Sequence, residues 1–245
     1  KNISYEIALK NAQKKGYAES NPTNDVEGID AAHKLSLLSC LCYGSKINFD
    51  NILYKGISNI HIDDIKYFKK LGYKIKLISE SSIIDNHILN FTSPKLVSLS
   101  NPLSNVDDAL NAINIETDHL DNFFLEGQGA GGKPTTSSIL SDLYDIAKNN
   151  SFDNLGFKLN KLKDYKKYNS DKIINSYYLR IMSEDKAGVL SSITNNFTES
   201  DISVEKILQL PENMNTNLPI PIIITTHKIE KQILSNVINK IEKLD

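Results

Sequence analysis

The stretch Gly16–Lys34, GYAESNPTNDVEGIDAAHK, decides how the rest of the chain is read. It holds Glu19, Asp25, Glu27, Asp30, His33 and Lys34 in a turn-rich segment that runs into an apolar helix. Pro22, Thr23, Asn24 and Asp25 are turn and cap formers, each able to fix or hydrogen-bond its local backbone. Gly28 is expected to loosen the helix start, and Ile29, Ala32, Leu35, Leu38 and Leu41 then recur at helical spacing. Asp30 and Lys34 are four apart and share a helix face. A carboxylate one turn before an ammonium holds the lysine and sets its proton affinity. On spacing alone, a surface ion pair worth ~0.2–0.5 kcal/mol is the plainer reading.

Working outward, residues 4–15 (SYEIALKNAQKK) read as a helix capped by Ser4 and ended at Gly16. The central helix is expected from about Gly28 to Tyr43. A short strand lies within 51–60, and a helix opens at His61 and runs through Leu71 to Gly72. Strands are expected at Tyr73–Ser79, Ile88–Thr92, Lys95–Ser98, Ala112–Thr117 and Asn122–Gly127, with a short helix over Pro102–Ala112. The simplest assembly is α+β: one mixed or antiparallel sheet with helices on one face.

The chain has 245 residues, enough for one large or two modest domains. A net charge of −2 and a single arginine, Arg180, leave neither a basic field nor bidentate phosphate clamps. Nucleic acid is therefore not expected as a partner. No run of 18 apolar residues is present, so no membrane association is expected. Cys40 and Cys42 are two apart, where helical side chains do not face each other. Both are expected to be reduced core residues of a cytoplasmic protein. No Cys/His/Asp cluster has metal-ligand spacing, so no metal site is expected.

Gly127–Gly132, GQGAGG, satisfies G-x-G-x-x-G between a strand and a helix. A dinucleotide fingerprint also needs a second strand ending in an acid about 20 residues on. The polar NNSFDN follows the helix 134–148 instead, so a glycine turn is the reading from the residues alone.

Residues 149–175 are rich in lysine, asparagine and aspartate and read as a linker. From 176 a new pattern starts. Strands are expected at Tyr177–Met182, Ser203–Leu210 and Ile220–Thr225, with helices at Val189–Thr198 and Thr226–Lys243. This β-α-β-β-α order fits a ferredoxin-like domain.

Three motifs carry a resemblance. GYAE-x-x-P-T-x-D-V-E-G-I-D-A-A-H-K-L resembles the substrate-binding segment of homoserine dehydrogenases. GxGAGxxPT, followed by a helix ending S-x-L-x-D-L, resembles that family's second signature. D-K-A-G-V-L with I-x-V-E-x-I-x-Q resembles an ACT domain, which that family often carries at its C-terminus.

The resemblance implies a catalytic, substrate-binding domain over 1–148, a linker over 149–175 and an ACT regulatory domain over 176–245. It implies NADP- or NAD-dependent interconversion of aspartate semialdehyde and homoserine. Lys34 is then the acid–base group and Asp30 its orienting partner. Glu19, Asp25 and Tyr17 line the substrate pocket, and Gly129, Gly131 and Gly132 approach the cofactor. Asp185, Gly188 and Val189 would receive an amino-acid effector such as threonine, in a homo-oligomer. His33 turns roughly 100° from Lys34 on a helix and is expected to stay outside the chemistry. The family usually has Asp where Asn21 stands, which puts a substrate role at that position in doubt.

Homoserine dehydrogenases begin with a nucleotide-binding domain that the sequence does not contain, so these 245 residues are expected to be inactive alone. The alternative reading is a non-catalytic amino-acid-sensing or dimerisation module of ACT type.

Overall fold

A computed structural model describes residues 3–148, 156–209 and 219–244. It divides the chain into two compact units, Lys1–Lys167 and Tyr168–Asp245.

The first unit opens with α1 (Tyr5–Lys14), whose N-cap Ser4 accepts from Ile7 N. α1 ends in a Schellman motif: Gly16 is left-handed (φ 70°), Tyr17 N donates to Ala12 O at 3.0 Å, and Gly16 N donates to Gln13 O at 3.0 Å. One turn of helix, α2 (Thr23–Val26), then leads to α3 (Ile29–Tyr43).

α3 buries Ala32, Leu35, Ser36, Ser39 and Cys40, which is a true 3.6-residue face. The expected stripe through Leu38 and Leu41 is corrected, since Leu41 is exposed. A strict three-residue repeat falls behind the helix by roughly 60° at each step. Two serines take the inner positions because their hydroxyls bond their own helix, Ser36 Oγ to His33 O and Ser39 Oγ to Leu35 O. Cys40 is buried, but Cys42 is exposed and so is no core residue.

The main sheet is built on a long hairpin, β2 (Tyr73–Ile84) with β3 (His87–Ser98). Asp85 and Asn86 both have positive φ (47° and 60°), the geometry of a two-residue turn that matches strand twist. The expected strand 73–79 is thus five residues too short, and the two expected strands 88–92 and 95–98 are one. Pro94 does not break β3. Thr92 O points away from β2, toward Lys55 N, and alternate residues point the same way. The missing N–H of Pro94 therefore falls on the edge where the short parallel strand β1 (Leu53–Tyr54) has already ended.

α4 (Ile62–Lys70) begins in a capping box between His61 and Asp64 and buries Tyr67 and Phe68. Both α3 and α4 pack on β2. Residues 102–105 form a short 3₁₀ turn rather than the expected helix over Pro102–Ala112. The segment after it is tied down by Asp107, which takes Lys76 at 2.7 Å and Lys74 at 2.9 Å. Hydrogen bonds from Lys76, then Lys74, hold its carboxyl down to about 2.

Among the described residues the strand β4 (Leu110–Thr117) pairs only with β5 (Asp121–Gln128), as a separate two-stranded sheet. This corrects the expectation of one sheet containing all the strands. The helix α5 (Gly132–Ala147) follows. Part of the stretch read as linker is ordered on this unit. The two-residue strand β6 (Lys166–Lys167) extends β3 in parallel, and Lys46 pairs with Asp164 at 3.2 Å. Residues 149–155 of that stretch lie outside the described residues.

In the second unit β7 (Ile174–Asn175) precedes β8 (Tyr178–Ser183), α6 (Val189–Glu199), β9 (Val204–Gln209) and β10 (Ile220–Thr226). The antiparallel sheet order is β8-β10-β9. Ile193, Phe197, Ile222, Ile224, Leu234 and Val237 form the core. The last helix, α7, spans Lys231–Ile241, because Ile229 and Glu230 form β11 against β7. The expected helix from Thr226 therefore starts five residues late. Leu210, expected to close β9, lies outside the described residues.

Candidate active site

Between Tyr17 and Lys34 the sequence places four carboxylates against one ammonium. Three local devices hold this segment. Asn21 Oδ1 accepts from both Thr23 N (3.3 Å) and Thr23 Oγ1 (2.7 Å), which starts α2. The oxygen of an aspartate would serve equally well, so this structural role survives the departure at position 21. Gly28 is buried and left-handed (φ 77°), where a side chain would be strained. It faces Thr92 of β3 and the carbonyl of Lys55, so it fixes the start of α3 rather than loosening it. Finally, Ile57 N donates to Val26 O at 2.9 Å, drawing the loop after β1 against the turn before α3.

That loop comes so close that only glycine fits. A Cβ on Gly56 would lie 2.3 Å from Val26 O and 2.4 Å from Glu27 Cα. Both are backbone atoms, so nothing flexible can give way. Gly56 and Gln13, whose amide Nε2 donates to Glu19 O at 2.9 Å, are site supports that the sequence reading missed. Neither carries a local signal, since a lone loop glycine and a helical glutamine are both commonplace.

On α3, Lys34 Nζ is 2.6 Å from Asp30 Oδ2. The two side chains are 56% and 47% exposed, so the pair itself adds only about 0–1 kcal/mol to stability. Its chemical content is that the lysine is held one turn after a carboxylate, at the solvent side of the helix. Glu19 and Asp25 are exposed. Among the described residues neither side chain accepts a hydrogen bond or an ion pair. They are the two exposed carboxylates on the turns leading to the lysine. Tyr17 is also exposed. His33 packs against Phe49, with ring centroids 4.3 Å apart and the planes tilted by 55°.

Beneath α3 lies a polar layer. Ser81 Oγ donates to Asn90 Oδ1 (2.5 Å), Ser39 Oγ is 2.8 Å from Ser81 Oγ, and Tyr43 OH donates to Ser81 O (2.9 Å). These bonds fix the rotation of α3 about its axis more narrowly than apolar packing alone.

The three glycines of the turn differ in their surroundings. Gly131 is left-handed (φ 114°), and a Cβ there would meet only Pro134 Cδ, at 3.8 Å. Around Gly132 nothing lies within 4 Å of that position. The space at Gly129 is taken, because a Cβ there would lie 1.9 Å from Asn111 Nδ2. Two of the three glycines leave an open approach, and the third makes room for the chain's own asparagine. Among the described residues, no hydrogen bond or ion pair joins this turn to Asp30 or Lys34.

In the second unit, Asp185, Gly188 and Val189 do share a cavity of about 340 Å³, with Glu184, Gln209 and Ile222. Gly188 is left-handed (φ 96°) and starts α6. Gln209 Nε2 donates to Asp185 Oδ1 at 3.4 Å. Among the described residues no group of three metal-ligating side chains comes together, and no helix is long and apolar enough to cross a membrane.

A carboxylate-held lysine, preceded along the chain by exposed carboxylates at Glu19 and Asp25, is equipped for proton transfer on a small cationic molecule. The homoserine dehydrogenase family model matches residues 1–144. The homoserine dehydrogenase of Helicobacter pylori is 36% identical over 98% of this chain and 56% of its own length, and that of Bacillus subtilis is 36% identical over the same shares. The crystal structure of a Thiobacillus denitrificans homoserine dehydrogenase matches 100% of this chain and 56% of its own, at 33% identity and a TM-score of 0.87. The chain belongs to the homoserine dehydrogenase family. It spans a little over half the length of these relatives.

Proposed function

We propose that the first unit carries the substrate-binding and proton-transfer machinery of a homoserine dehydrogenase, interconverting homoserine and aspartate semialdehyde with NADP or NAD. The observation that carries this reading is the 2.6 Å Asp30–Lys34 pair following two carboxylates, Glu19 and Asp25, that have no partner among the described residues, in a chain of this family. Glu19, assisted by Asp25, takes the substrate ammonium, and Tyr17 borders the same pocket. In homoserine oxidation the amine form of Lys34 takes the hydroxyl proton; in the reverse direction the ammonium returns it to the carbonyl oxygen. Asp30 holds Nζ in place for both directions. The nicotinamide ring, when bound, accepts or returns the hydride. The open positions at Gly131 and Gly132 and the first turn of α5 fit the edge of such a ring, and Gly129, whose Cβ position is taken by Asn111 Nδ2, approaches it through its backbone alone.

Glu19→Ala is the direct test. Loss of the ammonium partner is expected to raise the KM for homoserine at least 10-fold, the weight of a charged hydrogen bond of about 1.5–3 kcal/mol, and to lower kcat less. Steady-state kinetics of the complete protein check it, and an unchanged KM would remove Glu19 from the pocket.

The second unit is read as an ACT domain whose cavity at Asp185, Gly188 and Val189 takes an amino-acid effector such as threonine. The free amides at the start of α6 suit a carboxylate, and Asp185 suits an ammonium. Calorimetric titration of the protein with threonine is expected to give a saturable heat that Asp185→Ala abolishes. No heat at millimolar threonine would leave a pairing role in a cytoplasmic homo-oligomer. The buried, unpaired Cys40 and the exposed Cys42 are compatible with a reducing compartment.

A further inference from the structure

We infer that Gln13 is a positioning residue for the substrate pocket: its side-chain amide sets the place of Glu19 by clamping the backbone on which Glu19 is carried. The inference rests on the reading of Glu19 as the partner of the substrate ammonium. α1 buries none of its own residues, so the helix owes little to the core. What it contributes is its C-terminal end. The Schellman motif at Gly16 fixes the direction in which Tyr17 leaves the helix. From there the chain would run free, because the Glu19 side chain has no partner among the described residues. Gln13, one turn back, reaches across the gap. Its Nε2 donates to Glu19 O at 2.9 Å and lies 3.4 Å from Ser20 O. An amide NH₂ has two protons to give and can serve two adjacent carbonyls at once. With the backbone of 19 and 20 held to α1, and Asn21 closing the turn into α2 at the next residue, the Glu19 carboxylate is presented from a fixed backbone without being used up by a contact of its own.

Alternative roles for Gln13 fit less well. Among the described residues its side chain bonds those two main-chain carbonyls and nothing else, so it supports a loop and no packed core.

The experiment is a double-mutant cycle in the complete protein with Gln13→Met, which keeps length and removes both donors, and Glu19→Ala. Gln13→Met is expected to raise the homoserine KM ~3- to 10-fold, the weight of one or two ordinary hydrogen bonds. The expected kcat stays within about twofold, and the KM of the nicotinamide cofactor is unchanged. In the Glu19→Ala background the same change is expected to have little further effect, because the group it positions is gone. Gln13→Asn, which keeps the amide on a shorter arm, should fall between. A merely structural role would lower the melting temperature and move both KM values together. If Glu19→Ala raises the homoserine KM but Gln13→Met does not, or if the two effects multiply, the positioning role is overturned and the pocket stands. If Glu19→Ala itself leaves the homoserine KM unchanged, the pocket reading falls and this inference with it.

Discussion

Lys34→Ala, in the complete protein, is expected to lower kcat for homoserine oxidation by about 10²–10⁴-fold, the usual weight of a positioned acid–base group, equivalent to roughly 3–5 kcal/mol of barrier. Asp30 makes one ion pair among the described residues, to Lys34. Asp30→Ala should therefore produce a defect that overlaps with that of Lys34→Ala, and the double variant should be little worse than Lys34→Ala alone. A half-exposed pair on a helix surface predicts something else: a loss of a few tenths of a kcal/mol in stability, with turnover intact. Steady-state kinetics on the two single variants and the double variant separate the two. Wild-type kcat in Lys34→Ala would reduce the pair to a surface contact.

Gly56→Ala is the second large effect. The added carbon would meet Val26 O and Glu27 Cα well inside contact distance, so the loop after β1 must move away from the turn before α3. Overpacking of this kind costs about 1–3 kcal/mol, and here it also breaks the hydrogen bond from Ile57 N to Val26 O. Because that turn sets where α3 begins, Asp30 and Lys34 shift with it. The expected result is a lower melting temperature together with a fall in kcat. A variant with wild-type unfolding and wild-type kinetics would mean that the loop yields without disturbing α3. Loss of stability with unchanged kinetics would mean that α3 is placed by its sheet contacts alone.

Some misreadings have a common cause. The strands around Pro94 looked like two because proline is a strong local breaker, but whether it breaks depends on which edge its nitrogen faces, and that is settled by where β1 ends. The hydrophobic stripe on α3 was read through Leu38 and Leu41, yet Ser39 takes a buried position because Ser81 and Asn90 wait beneath it. The steric reason for a glycine at 129 was hidden as well, because the side chain that claims its Cβ space, Asn111, lies 18 positions earlier on the paired strand β4. In each case the deciding partner is distant in sequence.

What the sequence determined by itself was local or contiguous. Helical spacing placed Asp30 one turn before Lys34, and the two lie 2.6 Å apart. Ser4 and Gly16 bounded α1, and the order of strands and helices after residue 176 was legible from alternation and period. The run of motif residues from Gly16 to Lys34 carried the family resemblance, because chemistry confined to 19 consecutive residues is written in one line of text. Tertiary structure decided which carboxylates stay exposed, which glycine is a steric necessity, and which glutamine holds the loop. Those properties depend on what approaches each residue from elsewhere in the chain. Close approach is a distance between backbones, and no pattern of residue types along one segment encodes it.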